Sequence, residues 1–487
     1  MNDIVFLQAE NVGWLGWKPW KVTFSSDYFE QLHAFAIQLI KDGKAYVCHQ
    51  TSEQVKASRE AAKKGDLAAA NSPWRERSVA ENLEEFEKMR LGLYEAGSTS
   101  LRMKMDMSST KTTMWDPVAY RIKFVPHPRT GDTWCIYPSY DFTHCIVDSL
   151  EQIDYSLCTL EFEQRRDSYY WLLEALDLWR PHVFEFSRLN ISHNVLSKRK
   201  IIKLVSTGTV RGWDDPRLLT INGLRRRGFT PAALNDFCDA VGVTRNENLI
   251  NIRLLEHFAR KDLDASSPRA FAVLNPLKVT LTNVPADFVE SKEVVDHPKE
   301  PERGAHTKVL TRTLYIDHDD FRMEDDSKYY GLAPGKLVGL RWAGLIKCEE
   351  VVKGPTGQPV ELKCTYDAER SSGKPKGNLH WMSGSTPGAE PPRAEVRLYE
   401  HLFTHETPDD APGSWEDYVN PDSEAIVKDA MVDEHVLHLP QYTSFQAERV
   451  GYFMVDPDTN AAAGKLVLNR VVTLKESSDA KAVRQAS

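Results

Sequence analysis

A chain of 487 residues exceeds the size at which one hydrophobic core stops growing, so about three domains of ~100–200 residues each are expected. A hydrophobic content of 41%, a charged content of 27% and 12 tryptophans exclude a disordered chain; a net charge of -9 excludes a globally basic one, so any nucleic-acid contact must come from local patches on an acidic body. The seven cysteines stand singly at positions 48, 135, 145, 158, 238, 348 and 364, which indicates reduced thiols with no structural metal and no disulfide framework, and no apolar run approaches the ~20 residues of a membrane span. A cytoplasmic protein with no membrane partner is expected.

The first 24 residues begin on buried-type side chains, Ile4 to Leu7 and then Trp14, Trp17 and Trp20, without the polar approach that normally opens a domain, so an upstream portion is expected. Ser25-Ser26-Asp27 offers caps for a helix with Phe29, Leu32, Phe35, Ala36, Leu39 and Ile40 at helical spacing, closed by Asp42-Gly43. Tyr46-Val47 predicts a short strand. Residues 51–97 are charged and alanine-rich, with Val79, Leu83, Phe86, Met89 and Leu93 on one stripe, and are expected to form a surface helical insertion. Leu101–Met105 and Ala119–Phe124 alternate as strands do, and Pro128–Asp132 makes a turn towards Trp134–Tyr137.

Tyr137-Pro138-Ser139-Tyr140-Asp141-Phe142-Thr143-His144-Cys145 then places polar groups at an expected strand end before a helix, where open α/β sheets put ligand contacts. Asp148 and Asp154 look like ordinary exposed helix and cap positions. A helix over Trp171–Trp179 and a strand over Val183–Leu189 lead to Val195-Leu196-Ser197-Lys198-Arg199-Lys200, a cationic loop between apolar segments. Lysine is a compact charge on a flexible stem, suited to following charge that builds on a leaving pyrophosphate. Trp213-Asp214-Asp215-Pro216-Arg217 and Gly223-Leu224-Arg225-Arg226-Arg227-Gly228 frame a loop-rich segment, Thr230-Pro231 starts a helix that Gly242 ends, and residues 247–263 form another. Beyond Pro276, short alternating segments separated by Pro and Gly clusters predict antiparallel β-barrels. A disordered tail is expected from 476.

Six of these stretches, taken in order, resemble glutaminyl-tRNA synthetases: the Tyr-Pro-Ser-Tyr-Asp-Phe-Thr-His-Cys segment, Ser156-Leu157-Cys158-Thr159-Leu160-Glu161-Phe162, Phe186-Ser187-Arg188-Leu189-Asn190, the Ser-Lys-Arg-Lys stretch, and the two segments around Trp213 and Gly223. Cys364-Thr365-Tyr366-Asp367, Arg397-Leu398-Tyr399 and Phe445 to Phe453 resemble the same family's distal barrels. The resemblance implies a Rossmann-like α/β catalytic domain over 1–205 with an acceptor-end-binding insertion at about 45–135. A helical connecting subdomain over 206–270 and anticodon-binding barrels over 271–475 would follow. It implies ATP with Mg2+ as counter-ion, L-glutamine and tRNA(Gln) as partners, and leaves association with other synthetases open. Lys198 and Ser197 would act on the phosphates; Arg188, Leu189 and Leu196 would join them in holding ATP. Tyr140 and Cys158 would face the glutamine side chain, Cys158 standing where related glutamate enzymes carry arginine. Arg269, Arg341, Lys374, Lys376, Gln446 and Arg449 would contact tRNA.

The family also uses a His-Ile-Gly-His-type turn, and no His-x-Gly-His occurs among the 15 histidines. The expectation is therefore a catalytic fold incomplete at its N-terminus. A catalytically silent tRNA-binding homologue is the alternative, and a glutamate-tRNA ligase the less favoured one.

Overall fold

Phe29, Leu32, Ala36, Leu39 and Ile40 recur at helical spacing and are all buried on one face of the helix Phe29–Lys41, which lies at the centre of a core shared with four strands. The computed structural model describes residues 2–475, and by density of internal contacts these fall into two units. One is built mainly from Trp17–Asn190 with Val243–Asn248, the other mainly from Ile191–Gly242 and the chain from Leu249 onward. The expected tail from 476 lies outside the described residues.

In the first unit the strands Ala45–Cys48, Ser100–Met103, Val118–Ile122 and Ile136–Pro138 form an antiparallel sheet in that order. Alternation at Leu101–Met103 is not realised, because Leu101, Arg102 and Met103 are all buried; Arg102 donates from Nη1 to the Asp116 carbonyl at 2.8 Å, while its Nε is buried without a partner. The helix Val79–Arg90, opened by a Ser78/Glu81 capping box, is not a purely surface insertion. Phe86 and Met89 enter the main core, Phe86 edge-on to Tyr120 at 5.5 Å. A parallel pair follows, Tyr155–Thr159 against His182–Phe186, joined through the helix Arg166–Ala175. This βαβ connection is the α/β part of the fold.

The second unit holds the helices Lys198–Ser206, Ile221–Arg227, Pro231–Val241 and Ile252–Ser266, then two seven-stranded sheets. These sheets are mixed rather than purely antiparallel. Pro276–Leu281 runs parallel to Pro359–Asp367 and Arg393–Tyr399 runs parallel to Val467–Thr473, and these pairings bring strands distant in sequence together within each sheet. Asn378–Leu379 and Met382–Ser383 are separate short strands, and Ser444–Ala447 forms a hairpin with Gly451–Val455. The hairpin Val289–Val295/Ala305–Thr311 and the strand Glu424–Val432 carry too many charges to show a period-two pattern, and sequence reading passes them over.

Gly228 ends the helix Ile221–Arg227 at φ +108°, and a Cβ there would lie 2.7 Å from Met454 Cβ and Val471 Cγ2. Backbone conformation and close packing therefore both require glycine. Gly228→Ala is expected to destabilise the protein by about 2–4 kcal/mol, read as a lowered urea midpoint.

Candidate active site

A small pocket opens in the first unit beside the parallel strands, lined by Tyr140, His144, Cys158, Phe162, Arg165, Arg166 and Tyr169 among others. Ser139 caps the helix Tyr140–Leu150, its Oγ accepting from the Phe142 amide at 3.3 Å. Tyr140, Asp141, Thr143 and His144 thus lie on the helix itself, not at a strand end as expected. One turn apart on the same face, Tyr140 and His144 stack with centroids 5.0 Å apart, and Tyr140 tilts against Phe162 at 5.6 Å.

Asp148 is not the exposed helix position that its sequence context suggests. Its Oδ2 accepts from Ser156 Oγ at 2.7 Å and from the Tyr169 hydroxyl at 3.0 Å, and lies 3.2 Å from His144 Nε2. One carboxylate therefore binds together a helix, the first parallel strand and the crossover helix, and orients the imidazole behind Tyr140. Burial, reinforced by Asp148, pushes the Tyr169 phenol up. Burial also raises the Tyr140 phenol and the Cys158 thiol, so both stay neutral at physiological pH.

The cations at the pocket are already neutralised. Arg165 pairs with Asp141, and Arg166 pairs with Glu185, donating from Nε at 3.1 Å. Glu185 is fully buried and takes a second guanidinium, Arg245 Nη1, at 3.1 Å. Burial works to raise the Glu185 carboxyl, and Arg166 and Arg245 outweigh it and hold it below the usual carboxylate range. The pocket offers a phenol, an imidazole and a thiol, with no uncommitted positive charge. Tyr140 and Cys158, expected to face the glutamine side chain, both line this pocket; Asp148, Arg166 and Glu185, whose partners lie on other elements, were not singled out from the sequence. Arg188, in the same unit, pairs with Glu161, and Leu189 is exposed.

In the second unit, the stretch read as a cationic loop is the start of a helix. Ser197 is the N-cap of Lys198–Ser206, although its side chain makes no capping hydrogen bond, and Leu196 beside it is exposed. Ile201 and Leu204 seat the helix on Val195, Val210, Leu402 and Phe403. Lys198, Arg199 and Lys200 thereby fill the first turn, where unsatisfied amides and the positive end of the macrodipole already repel cations. Lys200 pairs with Asp409; Lys198 and Arg199 have no ion pair among the described residues.

The residues expected to contact tRNA take different positions. Arg269 is buried, with Nη2 donating to Asp264 Oδ1 at 2.9 Å. Arg341 pairs with Glu448 and lies 4.9 Å over the Trp342 ring. Arg449, at φ +68°, grips Asp320 with both Nη atoms at 2.8 and 2.7 Å and lies 3.0 Å from His380 Nδ1. Burial pulls that imidazole down to about 4. Gln446 Oε1 is buried without a partner, as is Trp342 Nε1, while Lys374 and Lys376 are exposed on a loop. One group among the described residues, Asp296, His306 and His435, has ligand atoms within 4.8 Å of one another. Its two imidazoles stack at 4.0 Å between centroids, and Asp296 bonds His306 Nδ1 at 2.6 Å.

The description "tRNA synthetases class I (E and Q), catalytic domain" matches residues 2–265, and the anti-codon binding domains of the same family match 267–367 and 378–456. The chain belongs to this family. Among its members, the cytoplasmic glutamine–tRNA ligase of Arabidopsis thaliana is 48% identical over 473 residues, 96% of this chain and 58% of that protein. A probable glutamine–tRNA ligase of Dictyostelium discoideum is 50% identical over 472 residues, again 96% of this chain and 59% of that protein. The glutamine–tRNA ligase of Tolumonas auensis is 44% identical over 492 residues, 98% of this chain and 86% of that protein. The chain thus spans less than three fifths of the length of the first two.

Because the Glu185 carboxyl is depressed on folding, its stabilisation is complete above the ordinary carboxylate value of 4.5 and is lost as the pH falls through its folded value. Glu185→Gln is expected to cost about 1–3 kcal/mol at pH 7 and to flatten the acid limb of stability below pH ~4.5, measured as melting temperature against pH.

Proposed function

We propose that this protein ligates L-glutamine to tRNA(Gln) through a glutaminyl-adenylate, using ATP, as an enzyme of cytoplasmic translation. The observation that carries the reading is the charge state of the first unit's pocket. Glutamine and glutamate are near isosteres, so a site must separate them by hydrogen-bond direction and charge. A substrate carboxylate entering here would be desolvated against a neutral thiol and phenol, with Arg165 and Arg166 already committed to Asp141 and Glu185. An amide meets no such penalty. Tyr140 and Cys158 are assigned to the glutamine side chain on this basis, and the glutamate-ligase reading is correspondingly disfavoured.

Lys198 and Ser197 are assigned to the phosphates of ATP. A helix that begins with three cations is locally unfavourable unless an anion is held there, and a polyphosphate supplies that anion while the free amides of the first turn donate to it. Lys198 would then stabilise charge on the departing pyrophosphate. Mg2+ would accompany the nucleotide as counter-ion. Leu196, Arg188 and Leu189 are kept as nucleotide-contacting residues, Arg188 by opening its pair with Glu161. For the tRNA, Arg341, Gln446 and Arg449, with Lys374 and Lys376 on their loop, are the proposed anticodon contacts; the buried unpartnered Gln446 Oε1 and Trp342 Nε1 are polar groups that a splayed base edge would satisfy. Arg269 would act by supporting the strand beside Gln446, with which it is in register.

The test is tRNA-dependent pyrophosphate exchange and aminoacylation by the complete gene product, comparing glutamine with glutamate. Glutamine is expected to be preferred; Lys198→Ala should lower kcat about 10²–10³-fold with little change in KM for glutamine. Cys158→Arg should reverse the sign of the preference relative to the parent by weakening glutamine and favouring glutamate. Retained tRNA binding with no exchange under any of these conditions would replace the ligase reading with that of a silent tRNA-binding homologue.

A further inference from the structure

The Gly223–Gly228 segment contains three consecutive arginines, and the proposed chemistry uses none of them. Arg226 is accounted for by structure, its Nε and Nη2 each 3.1 Å from the buried carboxylate of Asp456. Arg227 is different. It is 6% exposed, its Nε donates to the Val471 carbonyl at 3.1 Å, and no carboxylate among the described residues pairs with it. Gly228, which admits no side chain, fixes the backbone from which it projects.

Arg227 lines a cavity of about 190 Å³ together with Arg253, Arg260, Arg470, His401, Glu256 and Glu400. The charges there do not balance. Arg260 Nη2 lies 3.2 Å from Glu256 Oε2 and Arg470 Nη2 lies 2.8 Å from Glu400 Oε1, which leaves Arg227 and Arg253 without an ion-paired carboxylate among the described residues. Tyr399, also on the wall, commits its hydroxyl to Asn469 Oδ1 at 2.8 Å. Burial pulls the Arg227 guanidinium below its ordinary value, with Glu256 opposing and Arg470 adding to the effect. Burial and the neighbouring His193 likewise lower His401, leaving it a neutral ring able to donate one hydrogen bond.

We infer that this cavity is a binding site for a phosphate-type oxyanion, held by the Arg227 and Arg253 guanidiniums. An unpaired buried cation is costly, and folding retains this one beside three further arginines. A guanidinium fork matches an oxyanion in bidentate geometry, and a phosphoryl group has enough acceptor oxygens to engage two forks at once. The site shares no residue with the Ser197–Lys200 turn and does not rest on the ligase reading. The phosphoryl group could be that of a free phosphate or that of a nucleic-acid backbone, since both present the same oxygens.

Inorganic phosphate, titrated into the full chain against chloride at matched ionic strength, is the first probe, read by 31P line broadening and by melting temperature. A saturable, phosphate-specific response is expected in the parent and in Lys198→Ala, lost in Arg227→Met and weakened at least tenfold in Arg253→Met. In phosphate-free buffer Arg227→Met should melt close to the parent, because removing an unpaired charge offsets the lost hydrogen bond to the Val471 carbonyl; the partly exposed Arg253→Met should match the parent and decides the question if the first variant fails to fold. Competition by a short RNA against inorganic phosphate would assign the site to a backbone phosphate, and lack of competition to a free one. No phosphate-specific response in the parent, or an undiminished one in Arg253→Met, would overturn the site.

Discussion

Glu185 sits at the meeting point of the first unit's α/β part, with no exposure to solvent and two arginines on its carboxylate. A lone carboxylate in that position would be expelled or protonated, so Arg166 on the crossover helix and Arg245 on the 243–248 segment are held where they are by the charge they answer. Three separate pieces of chain thus converge on one side chain of a strand. The consequence reaches the pocket: Arg166 lines it, yet its charge is spent behind it. The solvent-facing groups beside it are the Tyr140 phenol, the His144 imidazole and the Cys158 thiol, so the ion pair shapes the pocket without presenting its charge there.

The second unit uses the same device more often. Asp215 is buried against Arg217, whose Nε lies 2.9 Å from Oδ1, while the Arg211 amide donates to Oδ2 at 2.8 Å. Asp456 takes Arg226, and Arg397 reaches Asp458 at 2.8 Å. The Trp-Asp-Asp-Pro-Arg motif and the arginine run are therefore largely the internal ionic framework that holds short helices to the distal sheet. Against that background Arg227 is an exception. It has the burial of its neighbours without their partner.

Sequence reading recovered what periodicity and capping encode. The helix Phe29–Lys41, the Thr230-capped helix with Pro231 in its first turn, and most barrel strands were legible because burial or turn chemistry acts on residues close together in the chain. Motif order was enough to name the family. The misses have a common cause. Asp148 reads as exposed until Ser156 and Tyr169 arrive from other elements; Glu185 is one charged residue in a strand until Arg166 and Arg245 are placed around it; the charged hairpin at 289–311 carries no apolar alternation. The parallel pairings of the barrels join strands far apart in sequence, and no local signal specifies them. Lys198–Lys200 reads as a loop because a run of like charge carries no apolar periodicity of its own, whereas Ile201 and Leu204 decide the matter by packing.

That helix start has a further implication. Its first turn is held by the apolar contacts one turn later and is opposed by its own electrostatics, so its order is set by a narrow balance. An anion bound there would remove the repulsion and satisfy the free amides together, acting as the cap that the Ser197 side chain does not provide. Occupancy and local folding would then be one equilibrium seen from two sides. Slower amide exchange at residues 198–201 would report an anion held there without any change elsewhere in the helix.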